Sequence, residues 1–310
     1  MENTRAKTTR NSLILLLTAT IWGMAFVSQS KGMDYMHPFT FNGVRSLIGA
    51  AGILVYILIS RKIAGDKAAK LDWKLNVKAG LLCGIFLTIA STLQQFGIKY
   101  TSVGKAGFIT TLYIIFVPMF GIFLKKKVAP VVWAAAGMAA VGMYLLCMTE
   151  SLRLGAGDIM VFLCAIAFAI QIMTVDHYAA RIDGAVVSCI QFTVCGVVCC
   201  IGALIWGQPT FGQLLEGMGA LLYAGVLSCG VGYTLQIVGQ KGLNPTVAAL
   251  IMSLESVIAT ISGWIAYKIG FLTTDQTLTA RQIAGCVIVF AAVILVQLPP
   301  EWFRFGKKNA

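Results

Sequence analysis

The sequence alternates between long apolar stretches and short polar connections. Ten of the stretches hold about 20 mostly apolar residues each, which is the length that an α-helix needs to span the hydrocarbon core of a membrane. Pro118 lies inside the fourth stretch and predicts a kink in that helix. The predicted transmembrane helices cover residues 12–30, 38–60, 77–98, 103–124, 129–148, 156–176, 184–206, 217–239, 245–268 and 280–298.

Composition supports an integral membrane protein. Of the 310 residues, 58% are hydrophobic and 12% are charged, and the mean hydropathy is +0.84, whereas a soluble domain has about 25% charged residues. The net charge of +12 lies in short connections and tails, so it indicates membrane orientation rather than nucleic-acid binding. The nine cysteines all lie in apolar stretches, without metal-ligand spacing, which favours a packing role. We therefore expect no metal and no cofactor.

The positions of lysine and arginine predict the orientation. Cytoplasmic connections of membrane proteins carry an excess of these residues. If the N-terminus is cytoplasmic, the inner segments hold 17 of the 24 Lys and Arg residues and the outer segments hold six, with Arg45 inside a helix. This bias predicts a multi-pass protein of the cell (inner) membrane. Its cytoplasmic N-terminal and C-terminal tails would be residues 1–11 and 299–310.

The second half of the chain repeats the first. Residues 92–121 align with residues 234–263 at a constant offset of 142, and both segments begin with Thr-Leu-Gln. The earlier helices match more weakly at an offset of about 146, so a first five-helix repeat (12–148) is followed by a second (156–298). Because five is odd, the two repeats are predicted to cross the membrane in opposite directions. Ten transmembrane helices in two inverted-topology repeats are a recurrent plan of secondary transporters, although an old duplication retained only as a scaffold stays open.

Several segments resemble one family of membrane transporters. IWGMAFV (21–27), Pro38 and Arg45 look like the WG…P…R opening of the EamA family, which belongs to the drug/metabolite transporter superfamily. YTSVGKAGFITTLYIIFVP (100–118) resembles helices 3–4 of that family, and SLESVIATISGW (253–264) resembles its helix 9. The resemblance covers about residues 12–298. It implies a ten-helix secondary carrier with a central cavity between its halves, and known members move amino acids and other small metabolites, often outward.

The resemblance does not extend to the ends of helices 4 and 9. Many family members carry Gly-Glu there, whereas this chain reads FLKKK (123–127) and AYKIG (266–270). A role that the family assigns to those acids therefore does not transfer to this chain.

Glu255 is the one acid in the apolar run 247–267. A charged side chain at the centre of a membrane helix costs about 2.5–3.5 kcal/mol on insertion scales, so acids in such places are functional by default. Glu255 could anchor a cation or carry a proton, because apolar surroundings disfavour an ionised carboxyl. The structural alternative is a carboxyl hydrogen-bonded between helices. The repeat equivalent of Glu255 is Tyr113, so we expect a chemically asymmetric site.

Arg45 is the only Lys or Arg deep within a predicted helix. It shares one helix face with Asn42 and Gly49, at spacings of three and four residues. Its guanidinium could bind a carboxylate through two hydrogen bonds. It could instead cap a backbone carbonyl or extend to the membrane interface.

Three further residues complete the candidate site. Gln94 and Gln236 are repeat equivalents that could line the cavity or simply hydrogen-bond between helices. Trp22 lies near the centre of the first helix and would be either a cavity wall or part of the core. The predicted substrate-binding residues are Glu255, Arg45, Gln94, Gln236, Tyr113 and Trp22.

These observations predict a secondary transporter that exports a small metabolite, amino acid-like or related, across the plasma membrane by alternating access. The alternative within the same fold is an efflux carrier for drugs or toxic compounds. A membrane enzyme is disfavoured, because the chain has two histidines and no paired catalytic motif. A non-transporting sensor would need a soluble domain, and none is predicted. The expected partners are a small-molecule substrate and the lipid bilayer, not nucleic acid, and proton coupling and a homodimer stay open.

Overall fold

The computed structural model describes residues 2–65, 71–101, 103–124, 128–147, 155–272 and 277–297. Within these ranges every regular element is a helix, which confirms the predicted all-α membrane class. Two shorter apolar helices, Pro130–Leu145 and Ala280–Leu295, occupy the places of the fifth and tenth predicted helices. Eight segments of the described chain are long and apolar enough to cross a membrane: Thr8–Gly32, Pro38–Ala64, Trp73–Tyr100, Ala106–Phe123, Ala156–Tyr178, Gly184–Gly207, Met218–Gln240 and Pro245–Lys268.

The helix bounds differ in detail from the predicted ones. The first helix begins at Glu2, so residues 2–11 of the predicted N-terminal tail are helical, and the predicted C-terminal tail lies outside the described residues. The α-helices are α1 (Glu2–Gly32), α2 (Pro38–Ala64), α3 (Trp73–Tyr100), α4 (Val103–Thr111), α5 (Tyr113–Phe123), α6 (Pro130–Cys147), α7 (Ala156–Tyr178), α8 (Gly184–Gly202), α9 (Phe211–Glu216), α10 (Met218–Leu222), α11 (Tyr233–Gln240), α12 (Pro245–Met252), α13 (Glu255–Lys268) and α14 (Ala280–Gln297). Two π-helical segments, Ala203–Gly207 and Tyr223–Gly232, follow α8 and α10.

Polar caps begin several of these helices. Asp72 Oδ1 accepts a 3.0 Å hydrogen bond from the backbone N–H of Leu75 at the start of α3. Asn244 caps α12 in the same way, and Pro245 follows it at the first helical position. Proline is tolerated there because its missing N–H would have no partner within the helix. Short polar connections therefore end one span and begin the next.

Two of the predicted helices are interrupted at equivalent places. One break lies at Leu112, between α4 and α5, and the other includes Leu254, between α12 and α13. These leucines are related by the offset of 142, and each donates its backbone N–H three residues back, Leu112 to Ile109 and Leu254 to Ile251. Pro118, where a kink was predicted, lies inside α5. The interruption therefore comes before the proline rather than at it.

A hydroxyl side chain precedes each interruption. Thr111 Oγ1 donates to the carbonyl oxygen of Phe108 at 2.9 Å. The equivalent Ser253 Oγ donates to the carbonyl oxygen of Leu250 at 2.7 Å. A hydroxyl that bonds to the carbonyl three residues back competes with the helical hydrogen-bond ladder. Both interruptions therefore follow a residue whose hydroxyl bonds to the carbonyl three residues back.

Equivalent helices of the two repeats pack against each other in opposite directions. In the α2–α8 pair, a Cβ added at Gly43 would lie 2.7 Å from Cys200 Sγ, and one added at Gly196 would lie 2.6 Å from Leu47 Cδ2. Contacts further along α2 thus fall earlier along α8, and the two helices run antiparallel. Small residues allow this close approach of helix backbones.

The α6–α14 pair has the same relationship. The guanidinium of Arg281, at the start of α14, lies 5.3 Å from the ring centroid of Tyr144 near the end of α6. A Cβ at Gly142 would lie 2.9 Å from Val289 N. These helices also run antiparallel, and none of their residues lines the cavity described below.

Candidate functional site

A central cavity lies between the two repeats. Its volume is about 40 Å³. Side chains from α1, α2, α3, α4, α5, α7, α8, the π-helical segment after α10, α11 and α13 line it. The cavity is therefore narrow in this conformation and shared by both halves. All six residues singled out from the sequence line this one cavity: Glu255, Arg45, Gln94, Gln236, Tyr113 and Trp22.

Tyr113 and Glu255 meet at the two interruptions. Tyr113 is the first residue of α5 and Glu255 is the first residue of α13. The phenol of Tyr113 donates a 3.0 Å hydrogen bond to Glu255 Oε1, and both side chains are buried. Glu255 thus lines the cavity and also joins two helices. The N-terminal end of α13 places the positive end of a helix dipole beside the carboxyl.

Arg45 points into the cavity from α2. It is 6% exposed, and its guanidinium lies 5.3 Å from the ring centroid of Phe41. Within the described chain it forms no hydrogen bond and has no carboxylate within 4.0 Å. Within the described chain, Arg45 therefore does not cap a backbone carbonyl, and it does not extend to the protein surface. These were two of the three interpretations of the sequence.

The two equivalent glutamines have different partners. Gln94 Nε2 donates to Thr110 Oγ1 at 3.2 Å. Gln236 exchanges two hydrogen bonds with Gln171, of 3.2 and 3.4 Å. Both glutamines line the cavity and also hydrogen-bond between helices, so the two interpretations coexist.

Trp22 forms part of an aromatic wall. Its ring centroid lies 4.5 Å from that of Tyr233, which in turn lies 5.0 Å from that of Phe192. The indole N–H of Trp22 points at the carbonyl oxygen of Ser228, 3.4 Å away. Part of the cavity wall is therefore aromatic, and the lining also includes Gln94 and hydroxyl groups.

Sequence reasoning missed several lining residues that helical spacing could have found. Ser91 lies one turn before Gln94 on α3, and Tyr233 lies one turn before Gln236. Ser91 and Tyr233 are themselves related by the offset of 142. Ser46 on α2 and Phe192 on α8 also line the cavity.

The described residues contain no cluster suited to a metal ion. No group of three or more His, Cys, Asp or Glu side chains is placed there to hold a metal ion. The buried Cys195 Sγ lies 3.5 Å from the hydroxyls of Ser46 and Ser91, and the described cysteines are free thiols.

The fold and the cavity define a multi-pass membrane protein of the transporter type, with a polar site enclosed between helical repeats. The sequence matches the profile of the EamA-like transporter family twice, over residues 10–148 and 155–298. The chain belongs to the EamA-like transporter family.

Individual proteins agree with this assignment. The chain is 27% identical over 290 residues to an uncharacterized transporter of Archaeoglobus fulgidus, covering 92% of this chain and 84% of that one. It is 23% identical over 299 residues to an uncharacterized transporter of Clostridium kluyveri, covering 91% of each. A protein crystal structure superposes with a TM-score of 0.74 over 96% of this chain and 99% of its own, at 16% identity. That last likeness shows the shared fold alone.

Proposed function

We propose that the protein is a secondary transporter that moves a small metabolite, amino acid-like or related, out of the cell by alternating access. The observation that carries this proposal is the Tyr113–Glu255 pair. Equivalent residues of the two repeats meet in the central cavity, at the places where both helices are interrupted. In secondary transporters, substrates bind at the repeat interface beside such discontinuous helices.

The proposal includes ten transmembrane helices in two inverted repeats. The antiparallel packing of α2 on α8 and of α6 on α14 supports it, because these are equivalent helices of the two halves. Repeats of the same orientation would place equivalent helices parallel. The excess of Lys and Arg in alternate connections supports cytoplasmic termini in the cell membrane.

The cavity residues take distinct roles in this scheme. Glu255 carries a proton or anchors a cationic group, and Tyr113 holds its carboxyl in place. Gln94 and Gln236 contact polar groups of the substrate, and Trp22 forms a wall. The narrow cavity is a contracted state, because ligand pockets usually enclose about 300–1,000 Å³, and the halves separate to admit substrate.

Reconstituted flux tests this proposal. Purified protein in liposomes loaded with labelled amino acids is expected to release label faster than protein-free liposomes. Gln94→Leu and Gln236→Leu should slow the release, because each removes polar groups from the cavity. Leu81→Val, on the exposed side of α3, serves as the matched control and should leave the flux unchanged. Release that is independent of protein for every amino acid would contradict an amino acid-like substrate.

Efflux of an aromatic compound is a second candidate. The adjoining rings of Trp22, Tyr233 and Phe192 favour it, because aromatic faces attract flat rings and organic cations. Liposomes loaded with a fluorescent aromatic cation distinguish the two candidates. Protein-dependent release of the dye, without release of amino acids, would support the second candidate over the first.

A further inference from the structure

Arg45 is a buried cation without a counter-charge. Arginine stays protonated in proteins, and an uncompensated buried charge destabilises the fold strongly. The side chain is 94% buried, and no carboxylate of the described chain lies within 4.0 Å of it. Its contact with the face of Phe41 uses none of the guanidinium N–H donors. The charge and the donors of Arg45 are therefore available to an anion in the cavity.

The groups around Arg45 are thiols and a phenol. Its electrostatic neighbours are the thiols of Cys195 and Cys199 on α8, the thiol of Cys229 on the π-helical segment and the phenol of Tyr233 on α11. The one acid that lines the cavity, Glu255, is hydrogen-bonded to Tyr113 and forms no ion pair with Arg45. Within the described chain, Arg45 therefore has no carboxylate partner in this conformation.

Two serine hydroxyls lie beside Cys195, an electrostatic neighbour of Arg45. Ser46 follows Arg45 on α2, Ser91 lies on α3, and both line the cavity. Each hydroxyl lies 3.5 Å from Cys195 Sγ, a weak partner, and Ser91 Oγ also lies 3.4 Å from the carbonyl oxygen of Thr88 on its own helix. Rotation about the Cα–Cβ bond would turn either hydroxyl toward a ligand oxygen. Arg45, Ser46 and Ser91 together present hydrogen-bond donors to one part of the cavity.

We infer that Arg45, Ser46 and Ser91 form an anion subsite that binds the carboxylate of a small organic acid or amino acid. A guanidinium binds a carboxylate through two parallel hydrogen bonds, which the planar fork of Arg45 allows. The narrow cavity limits the ligand to a few heavy atoms in this conformation. This inference rests on the proposed function, because it names the chemical group by which the carrier holds its substrate.

Four ligands of matched size test the subsite. Propionate, propionamide, propylammonium and alanine differ in charge but hardly in volume. Thermal unfolding of the full chain in lipid nanodiscs is followed with each ligand at equal ionic strength. Propionate and alanine are expected to raise the midpoint of wild-type unfolding in a dose-dependent way, and the other two are not. Arg45→Gln should abolish the shift, and Arg45→Lys should retain part of it.

Several outcomes would overturn the inference. The inference fails if propionamide or propylammonium raises the unfolding midpoint as much as propionate does. It also fails if propionate raises the midpoint of Arg45→Gln as much as that of wild type. If sodium chloride stabilises the protein as strongly as sodium propionate, the stabilisation is a general effect of anions and not binding of a carboxylate. The absence of any propionate shift in wild type would also overturn it.

A second measurement uses wild-type protein alone, in case the variants do not fold. The small dicarbonyl methylglyoxal modifies arginine, and mass spectrometry locates the product. Propionate should slow the modification of Arg45 but not that of the exposed Arg181, and propylammonium should slow neither. Equal protection of both arginines, or of neither, would contradict the subsite. Because binding is measured without flux, failure of the subsite and failure of transport are separate results.

Discussion

The phenol of Tyr113 donates a 3.0 Å hydrogen bond to the carboxyl of Glu255, and these two residues occupy equivalent positions in the two repeats. Equivalent residues touch only near the axis that relates two halves of a structure. The pair therefore lies near the axis of the fold, at the interrupted helices. Its chemistry is nevertheless asymmetric, because one repeat supplies an acid and the other supplies a hydroxyl. The centre of the cavity therefore presents a carboxyl from the second repeat and a hydroxyl from the first.

Removal of the Tyr113 hydroxyl should destabilise the protein. In Tyr113→Phe the buried carboxyl of Glu255 loses its hydrogen-bond donor, and an unsatisfied buried polar group costs about 1–3 kcal/mol. Denaturant unfolding in detergent micelles measures the loss. Tyr233→Phe is the control, because the Tyr233 hydroxyl forms no hydrogen bond within the described chain. An equal loss in both variants would show that the Tyr113–Glu255 bond contributes little.

Two engineered cysteines should distinguish inverted from parallel repeats. Asp34 follows α1 and Arg181 follows α7, the first helix of each half, and both residues are exposed. Inverted repeats with a cytoplasmic N-terminus place Asp34 outside and Arg181 inside. In a background without reactive native cysteines, a membrane-impermeant thiol reagent should label Asp34→Cys in intact cells. It should label Arg181→Cys only after permeabilisation, and labelling of both from the same side would exclude inversion.

Packing of α6 on α14 should depend on one glycine. A Cβ at Gly142 would lie 2.9 Å from backbone atoms of Gly285 and Val289, whereas a Cβ at Gly137 on the same helix meets nothing within 4 Å. Gly142→Ala should destabilise the protein by about 1–3 kcal/mol through overpacking. Gly137→Ala should be neutral or stabilise it by up to about 1 kcal/mol. Thermal unfolding of both variants checks the contrast, and equal midpoints would mean that the two helices can separate freely.

The long apolar stretches of the sequence were enough to predict the helical membrane class, because a membrane-spanning helix needs about 20 consecutive apolar residues. It was not enough to place the interruptions. The kink predicted at Pro118 stays a prediction, whereas the interruptions at Leu112 and Leu254 each follow a residue whose hydroxyl bonds to the carbonyl three residues back. Such hydrogen bonds depend on rotamers, which a hydropathy pattern does not contain. The offset of 142 nevertheless identified the two positions as equivalent.

The candidate site was partly predictable for the same reason. Glu255 and Arg45 stood out because charges are rare within membrane helices. Their arrangement around one cavity, with Glu255 bound to Tyr113 and Arg45 left without a counter-charge, depends on how helices from both halves meet. Ser91 and Tyr233 were overlooked, since a serine or tyrosine in an apolar helix carries no comparable signal until its neighbours are known.

The most direct test of the carrier proposal is the effect of Glu255→Gln on flux driven by a pH gradient. Proteoliposomes loaded with labelled amino acids are compared with and without the gradient, for wild type, Glu255→Gln and Leu81→Val. The account predicts that the gradient accelerates release in wild type and Leu81→Val, and that this acceleration disappears in Glu255→Gln. Equal release by wild type and Glu255→Gln under both conditions would contradict it and leave Glu255 as a residue that only joins helices.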